Sequence, residues 1–141
     1  MSQSWHSGQL PLRRIRVLVP GTSGRFRCGG LLVELQTARL LCRFTAVELV
    51  TYRQREPEHS FLSDLLRAEP VGLAAEQPLW MVSWGFDVPW LLRRLKGRPT
   101  AYHAHSSGYG FDLPAGVPVL AVSRNTLGYW GDRAPRSPLF L

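Results

Sequence analysis

Between residues 14 and 130 the chain alternates between two hydrophobic periods, and that alternation leaves very few folds open to it. In Arg14-Ile-Arg-Val-Leu-Val-Pro20, Ile15, Val17 and Val19 share one face of a strand and Leu18 takes the other. From Leu31 to Cys42 the period becomes helical. Leu31, Leu35, Ala38 and Cys42 return at steps of three and four, and Leu32 and Leu41 widen the stripe. Residues 45–52 are β-branched and aromatic, so a second strand is predicted there. The polar stretch 53–59 reads as loop. Ser60 is then placed to cap a short helix through Ala68 that Pro70 ends. Residues 79–84 give a third strand. Asp87 stands where an N-cap belongs, Pro89 in the first turn, and Gly97 is the stop of a helix carrying Trp90, Leu91, Leu92 and Leu95. A fourth strand is predicted over 99–105 and a fifth over 117–123, with Ser123 capping a last helix over 124–130.

Right-handed βαβ connections turn such an alternation into an α/β fold: a Rossmann-like open, mostly parallel sheet with helices on both faces. The expected division is a flexible arm over 1–13, the α/β domain over 14–132, and a tail over 133–141 ending in Pro138-Leu-Phe-Leu141, which looks like the start of another apolar segment. In open α/β sheets ligands bind outside the carboxyl ends of the strands. The loops to inspect are therefore 21–30, 84–87, 105–112 and 123–126.

Composition removes several function classes. A hydrophobic fraction of 45% with 15 aromatics excludes a disordered polar tail, and no apolar run approaches the ~20 residues that span a bilayer. The opening segment has no apolar stretch after its charges, so no secretory signal is expected and the chain is assigned to the cytoplasm. Cys28 and Cys42 make neither a disulfide framework nor a CxxC zinc pair, and both are expected to be small buried or half-buried residues. The net charge of +7 rests on 16 Arg and one Lys. These are scattered, with no cluster of five or six. The distribution favours several separate anion contacts over a nucleic-acid stripe, and no nucleic-acid partner is expected.

Two features carry chemistry. In Gly21-Thr-Ser-Gly-Arg-Phe-Arg-Cys-Gly-Gly30, Gly29 and Gly30 stand where a strand–loop feeds a helix, and Arg25 and Arg27 add charge. Helix amino ends expose N–H groups and a partial positive charge that suit an anion. The spacing is not GxGxxG and no Walker lysine follows, so neither a dinucleotide nor a P-loop site is implied. The second feature is His103-Ala-His105, whose two side chains share one strand face. A metal ion wants a third ligand. His6 and His59 lie in the arm and a loop, and Asp87 and Asp112 have no matching spacing, so no metal is expected. What remains is a packed pair, or a histidine at the strand's carboxyl end that touches substrate.

Three stretches between Arg14 and about Arg124 together resemble the N-terminal domain of a retaining GT-B glycosyltransferase of family 4. Gly29-Gly-Leu-Leu-Val-Glu-Leu-Gln-Thr-Ala-Arg-Leu-Leu41 is similar to the family's Gly-Gly followed by a helix of pattern xxELAxxL. The segment from Trp84 to Pro99 is similar to its strand–helix–strand crossing. His105 follows Pro99 by six residues, and Val117-Pro-Val-Leu-Ala-Val-Ser123 resembles a strand ending in Val-Ser. The resemblance implies transfer of a sugar from a nucleotide-sugar donor to a carbohydrate or lipid-linked acceptor, with retention and without a metal or other cofactor. It places His105 at the reaction centre, His103 beside it, Gly29 and Gly30 at the diphosphate or acceptor, and Ser123 and Arg124 at the inter-domain cleft. Trp84, Phe86, Trp90, Tyr109 and Phe111 flank the candidate loops. The first loop is longer and richer in arginine than the family's common form, and Ser83-Trp84 stands where the family usually has His-x-His. The donor-binding C-terminal GT-B domain is expected as a missing partner, and peripheral contact with the inner membrane face as a further property. The rival reading is a non-catalytic Rossmann-like phosphate- or nucleotide-binding or regulatory module.

Overall fold

The computed structural model describes residues 14–72, 77–105 and 110–141. In chain order it contains β1 (Ile15–Val19), α1 (Gly29–Leu41), β2 (Val47–Thr51), β3 (Ser60–Phe61), α2 (Leu62–Ala68), β4 (Leu79–Val82), α3 (Val88–Arg94), β5 (Thr100–Ala104), β6 (Val119–Ala121), α4 (Arg124–Arg133) and β7 (Leu139–Phe140). All strand pairs are parallel, in the order β3-β2-β1-β4-β5-β6-β7. This is the Rossmann-like α/β sheet expected from the alternating periods.

Each strand's two-residue period sorts its side chains onto two cores. Val17, Val19 and Met81 face α1, where Leu31, Leu35 and Ala38 meet them. Leu18, Val50, Trp80, Val82 and Tyr102 face the other way, against Leu62 of α2, Val88 and Leu91 of α3 and Trp130 of α4. Both faces are covered, and the central strands accordingly read as nearly continuous apolar runs. Gly97, with φ of +85°, closes the turn after α3 in the left-handed region that glycine adopts without a Cβ clash.

Five strands were expected and seven are present among the described residues. The additions, β3 and β7, are two residues long, too short for any hydrophobic period to show. β3 corrects one expectation. Ser60 does not cap α2: its backbone pairs with Val50 and its hydroxyl donates to Glu48 Oε2 at 2.6 Å, while Phe61 precedes the helix. Asp87 does precede α3, yet its carboxylate makes no cap hydrogen bond because other partners hold it. Ser123 caps α4 as expected, accepting from the Thr126 N–H at 3.1 Å. Cys28 and Cys42 are free and exposed, not buried, because each sits at an end of α1 where the chain turns away from the sheet.

One charge is buried within the sheet. Arg16, 4% exposed, points from β1 between Glu48 of β2 and Glu69 after α2, with its guanidinium 5.0 Å from the Trp80 ring centre. The bidentate contacts to Glu69 are 2.7 and 2.8 Å. Arg16's hydrogen bonds hold the Glu69 carboxyl below its ordinary value of 4.5. A depressed carboxyl contributes stability that is present above its unfolded value and is lost as pH falls through the folded one. The stability difference between wild type and Glu69→Gln should therefore be constant above pH 4.5 and shrink below it. Because the Glu69 side chain is 40% exposed, solvent screens the pair, and the plateau should be about 1 kcal/mol. Urea unfolding at several pH values measures it, and a difference that does not vary with pH would contradict the pairing.

Candidate functional site

Between β1 and β4 the sheet order reverses: the chain leaves β1 for β2 and β3, then returns to place β4 on the other side. Loops rising from the carboxyl ends of these two strands diverge and leave a crevice, the usual ligand position in such sheets.

The loop after β1 is built to be held still. Gly21 has no room for a side chain, since a Cβ there would lie 2.5 Å from the Phe26 ring, which is buried under the loop. Thr22 donates to Glu56 twice at 2.7 Å, through its N–H and its hydroxyl. Burial pushes Glu56 upward, but those hydrogen bonds outweigh it and hold the carboxyl below its ordinary value. The fixed loop delivers Cys28, in extended conformation, to the start of α1, so that Gly29 and Gly30 form the first turn. First-turn N–H groups have no acceptor within their own helix and stand at its positive end.

The imidazoles come from β5. His103 lies on the α1 side of the sheet, and His105 follows the strand's last residue. His105 Nδ1 is 3.3 Å from where a Cβ on Gly30 would lie, so only glycine lets the helix come this close without displacing the ring. On the ring's far side, Nε2 is 2.7 Å from Glu34 Oε1. His103 Nδ1 hydrogen-bonds to the same oxygen, and the two ring nitrogens are 3.3 Å apart. Glu34 is 1% exposed. Burial works to raise its pKa, and the hydrogen bonds and charges of the two histidines outweigh this and lower it.

Cys28, Gly30, Ser83, Trp84, Gly85, Phe86 and His105 enclose a cavity of about 310 Å³ in the crevice. A larger hollow of about 730 Å³ opens at the opposite edge, beside the amino ends of β1 and β2. Neither the first turn of α1 nor the paired imidazoles line it, so the smaller cavity has the stronger chemistry.

Of the residues singled out in the sequence, Gly30 and His105 meet in the cavity and His103 lies behind them on Glu34. Gly29 is exposed, with open space where its side chain would be. Arg25 and Arg27 are exposed on the loop, Arg25 lying 4.8 Å over Phe26, and neither lines the cavity. Ser123 and Arg124 are exposed at the start of α4, where the serine hydroxyl is used as the cap. Among the flanking aromatics, Phe86 is 82% exposed and Trp90 42%. Phe111 packs 5.1 Å from Trp130 in the core, and Tyr109 lies outside the described residues.

Glu34 was not among the expected residues. Its trace in the sequence is a carboxylate inside an apolar helical stripe, between Leu31 and Leu35, where a solvated glutamate would not fall. A second cluster stands at the end of β2. Asp87 accepts from the Tyr52 hydroxyl at 2.7 Å and from Arg53 at 2.9 and 2.5 Å, beside Trp90. Burial, then Asp87, push the Tyr52 hydroxyl far above its ordinary range, so it remains a proton donor at any physiological pH.

No protein family, no curated protein and no solved structure matches this chain.

Proposed function

We propose that this domain is the acceptor-side half of a GT-B glycosyltransferase, moving a sugar from a nucleotide-sugar donor to a carbohydrate or lipid-linked acceptor. The observation that carries the reading is the convergence of the Gly30 turn and His105 Nδ1 on one cavity at the sheet's switch point. The two features lie 75 positions apart in the sequence, and they meet at the edge where α/β sheets bind ligands.

The parts divide the work. The first turn of α1 offers N–H donors and the positive helix end to a phosphate. His105, held through Nε2 by a buried carboxylate, keeps Nδ1 turned toward the cavity, in reach of a sugar hydroxyl or a phosphate oxygen. Glu34 fixes the ring's orientation and so acts on the sugar only through His105. Phe86, exposed at the cavity mouth, offers a face for a sugar ring. The arginines around this edge raise the local potential for anions. In this reading the nucleotide is held by a second domain outside residues 1–141, and retention follows the resemblance.

The test is sugar transfer from UDP- and GDP-sugars by the gene product that carries these residues, compared with its His105→Ala variant. Transfer should fall about a hundredfold or more with circular dichroism unchanged. A variant that keeps transfer and loses only melting temperature makes His105 a packing residue. Nucleotide binding without turnover by the wild type would establish the regulatory module instead.

A further inference from the structure

We propose that Glu34, His103 and His105 form a binding site for one divalent first-row transition cation, zinc first among them. Glu34 Oε1, His103 Nδ1 and His105 Nε2 all lie within 4.8 Å of one another. Glu34 belongs to α1 and His103 to β5, and His105 follows directly on the last residue of that strand, so the packing of α1 on the sheet sets their spacing. Two imidazoles and one carboxylate are the donor types that borderline cations take, and hard cations such as magnesium and calcium do not select nitrogen.

The geometry is close to what a tetrahedral ion requires. Bonds of about 2.0–2.1 Å separate two ligands of a tetrahedron by roughly 3.3 Å. The two ring nitrogens already stand 3.3 Å apart. Glu34 Oε1 is nearer, at 2.7 Å from His105 and closer still to His103, so an ion at the centre would need it to withdraw by more than about 0.6 Å.

A second observation points the same way. Glu34 Oε2 is buried and has no hydrogen-bond partner. Buried carboxylate oxygens without a partner are rare and costly. With both rings crowded onto Oε1, the arrangement leaves half of a 1% exposed carboxylate unused. An ion bound through Oε1 would neutralise the carboxylate charge that this unpartnered oxygen shares. The imidazoles are 13% and 18% exposed, so both rings are within reach of solvent while Glu34 is not.

This inference does not depend on sugar transfer. A cation would take Nε2 of His105 and leave Nδ1 facing Gly30, in the same place that Glu34 alone would hold it.

The experiment is titration of the metal-free chain with zinc alone, by calorimetry, alongside cobalt followed by its visible ligand-field absorption. One ion per chain is expected, with magnesium giving none. His103→Ala and Glu34→Gln should each weaken zinc by about a hundredfold or more. His59→Ala should change nothing, since His59 belongs to a separate group with Glu56 and Glu58. Should the variants fail to fold, X-ray absorption on the zinc-loaded wild type decides: two imidazoles and oxygen support the site. A shell dominated by sulfur from the exposed cysteines overturns it, as do loss of binding in His59→Ala alone and absence of stoichiometric binding.

Discussion

Replacing Trp130 with alanine is expected to lower the unfolding free energy by about 3–5 kcal/mol, the range for truncating a fully buried large aromatic. Domains of this size are stable by roughly 5–15 kcal/mol, so the variant should lose a large share of its stability. The size of the effect follows from position. Trp130 is wholly buried, and its ring lies 5.2 Å from Tyr102, 5.1 Å from Phe111 and 5.1 Å from Tyr129. Three aromatic contacts are lost at once, and each edge-on or tilted pair is worth about 0.5–1.5 kcal/mol beyond its buried area. Because Tyr102 belongs to β5, the cavity would loosen the strand that holds His103 on its opposite face. Urea unfolding followed by circular dichroism measures the loss, with the midpoint falling and the slope unchanged. A loss below 1 kcal/mol would mean that this core collapses around the gap.

What could be seen in the sequence, and what could not, follows from the range of each interaction. Ile15, Val17 and Val19 announce β1, and Leu31, Leu35 and Ala38 announce α1, because each pattern repeats within one element. Gly30 and His105 were visible for the same local reason: one opens a helix and the other ends a strand. β3 and β7 were not, since two residues carry no period and their pairing is settled by strands elsewhere in the chain. Ser60 shows the cost of a local rule. Its residue type fits a cap, but Glu48, 12 positions earlier, lies within reach of its hydroxyl once β2 and β3 pair. Asp87 is similar, taken by Tyr52 and Arg53 across the sheet edge. Glu34 was the larger omission. No spacing links residue 34 to 103 or 105, because over the 69 positions from Glu34 to His103 the chain folds through three strands and two helices before β5 returns to α1.

Replacing Glu34 with leucine should separate stability from function more sharply than any other single change. A buried carboxylate carries a desolvation cost that its partners must offset. Exchanging a whole buried polar pair for apolar groups of similar volume is often neutral or stabilising, and removing one member is costly only where the other is left buried and unpaired. Position 34 sits in the stripe with Leu31 and Leu35, so a leucine continues the packing against β1 and β4. The two histidines are partly exposed, and their nitrogens can turn to water when the carboxylate is gone. The melting temperature is therefore expected to stay within a few degrees of wild type, or to rise. Function should not survive as well. Without Glu34 only the 3.3 Å contact with His103 is left to His105 Nε2, the ring is held less firmly, and Nδ1 faces the cavity less consistently. If the domain transfers sugar as proposed, transfer should drop about a hundredfold, in kcat more than in KM, because the first turn of α1, the proposed phosphate contact, is left unchanged. Glu34→Asp, one methylene shorter, should recover part of it. The nitrogen chemical shifts of His105 give a readout that packing alone would leave unmoved: one tautomer in the wild type, a mixture in Glu34→Leu. If Glu34→Leu melts far below the wild type, the carboxylate is a structural tie between α1 and β5, and its place in the site is lost.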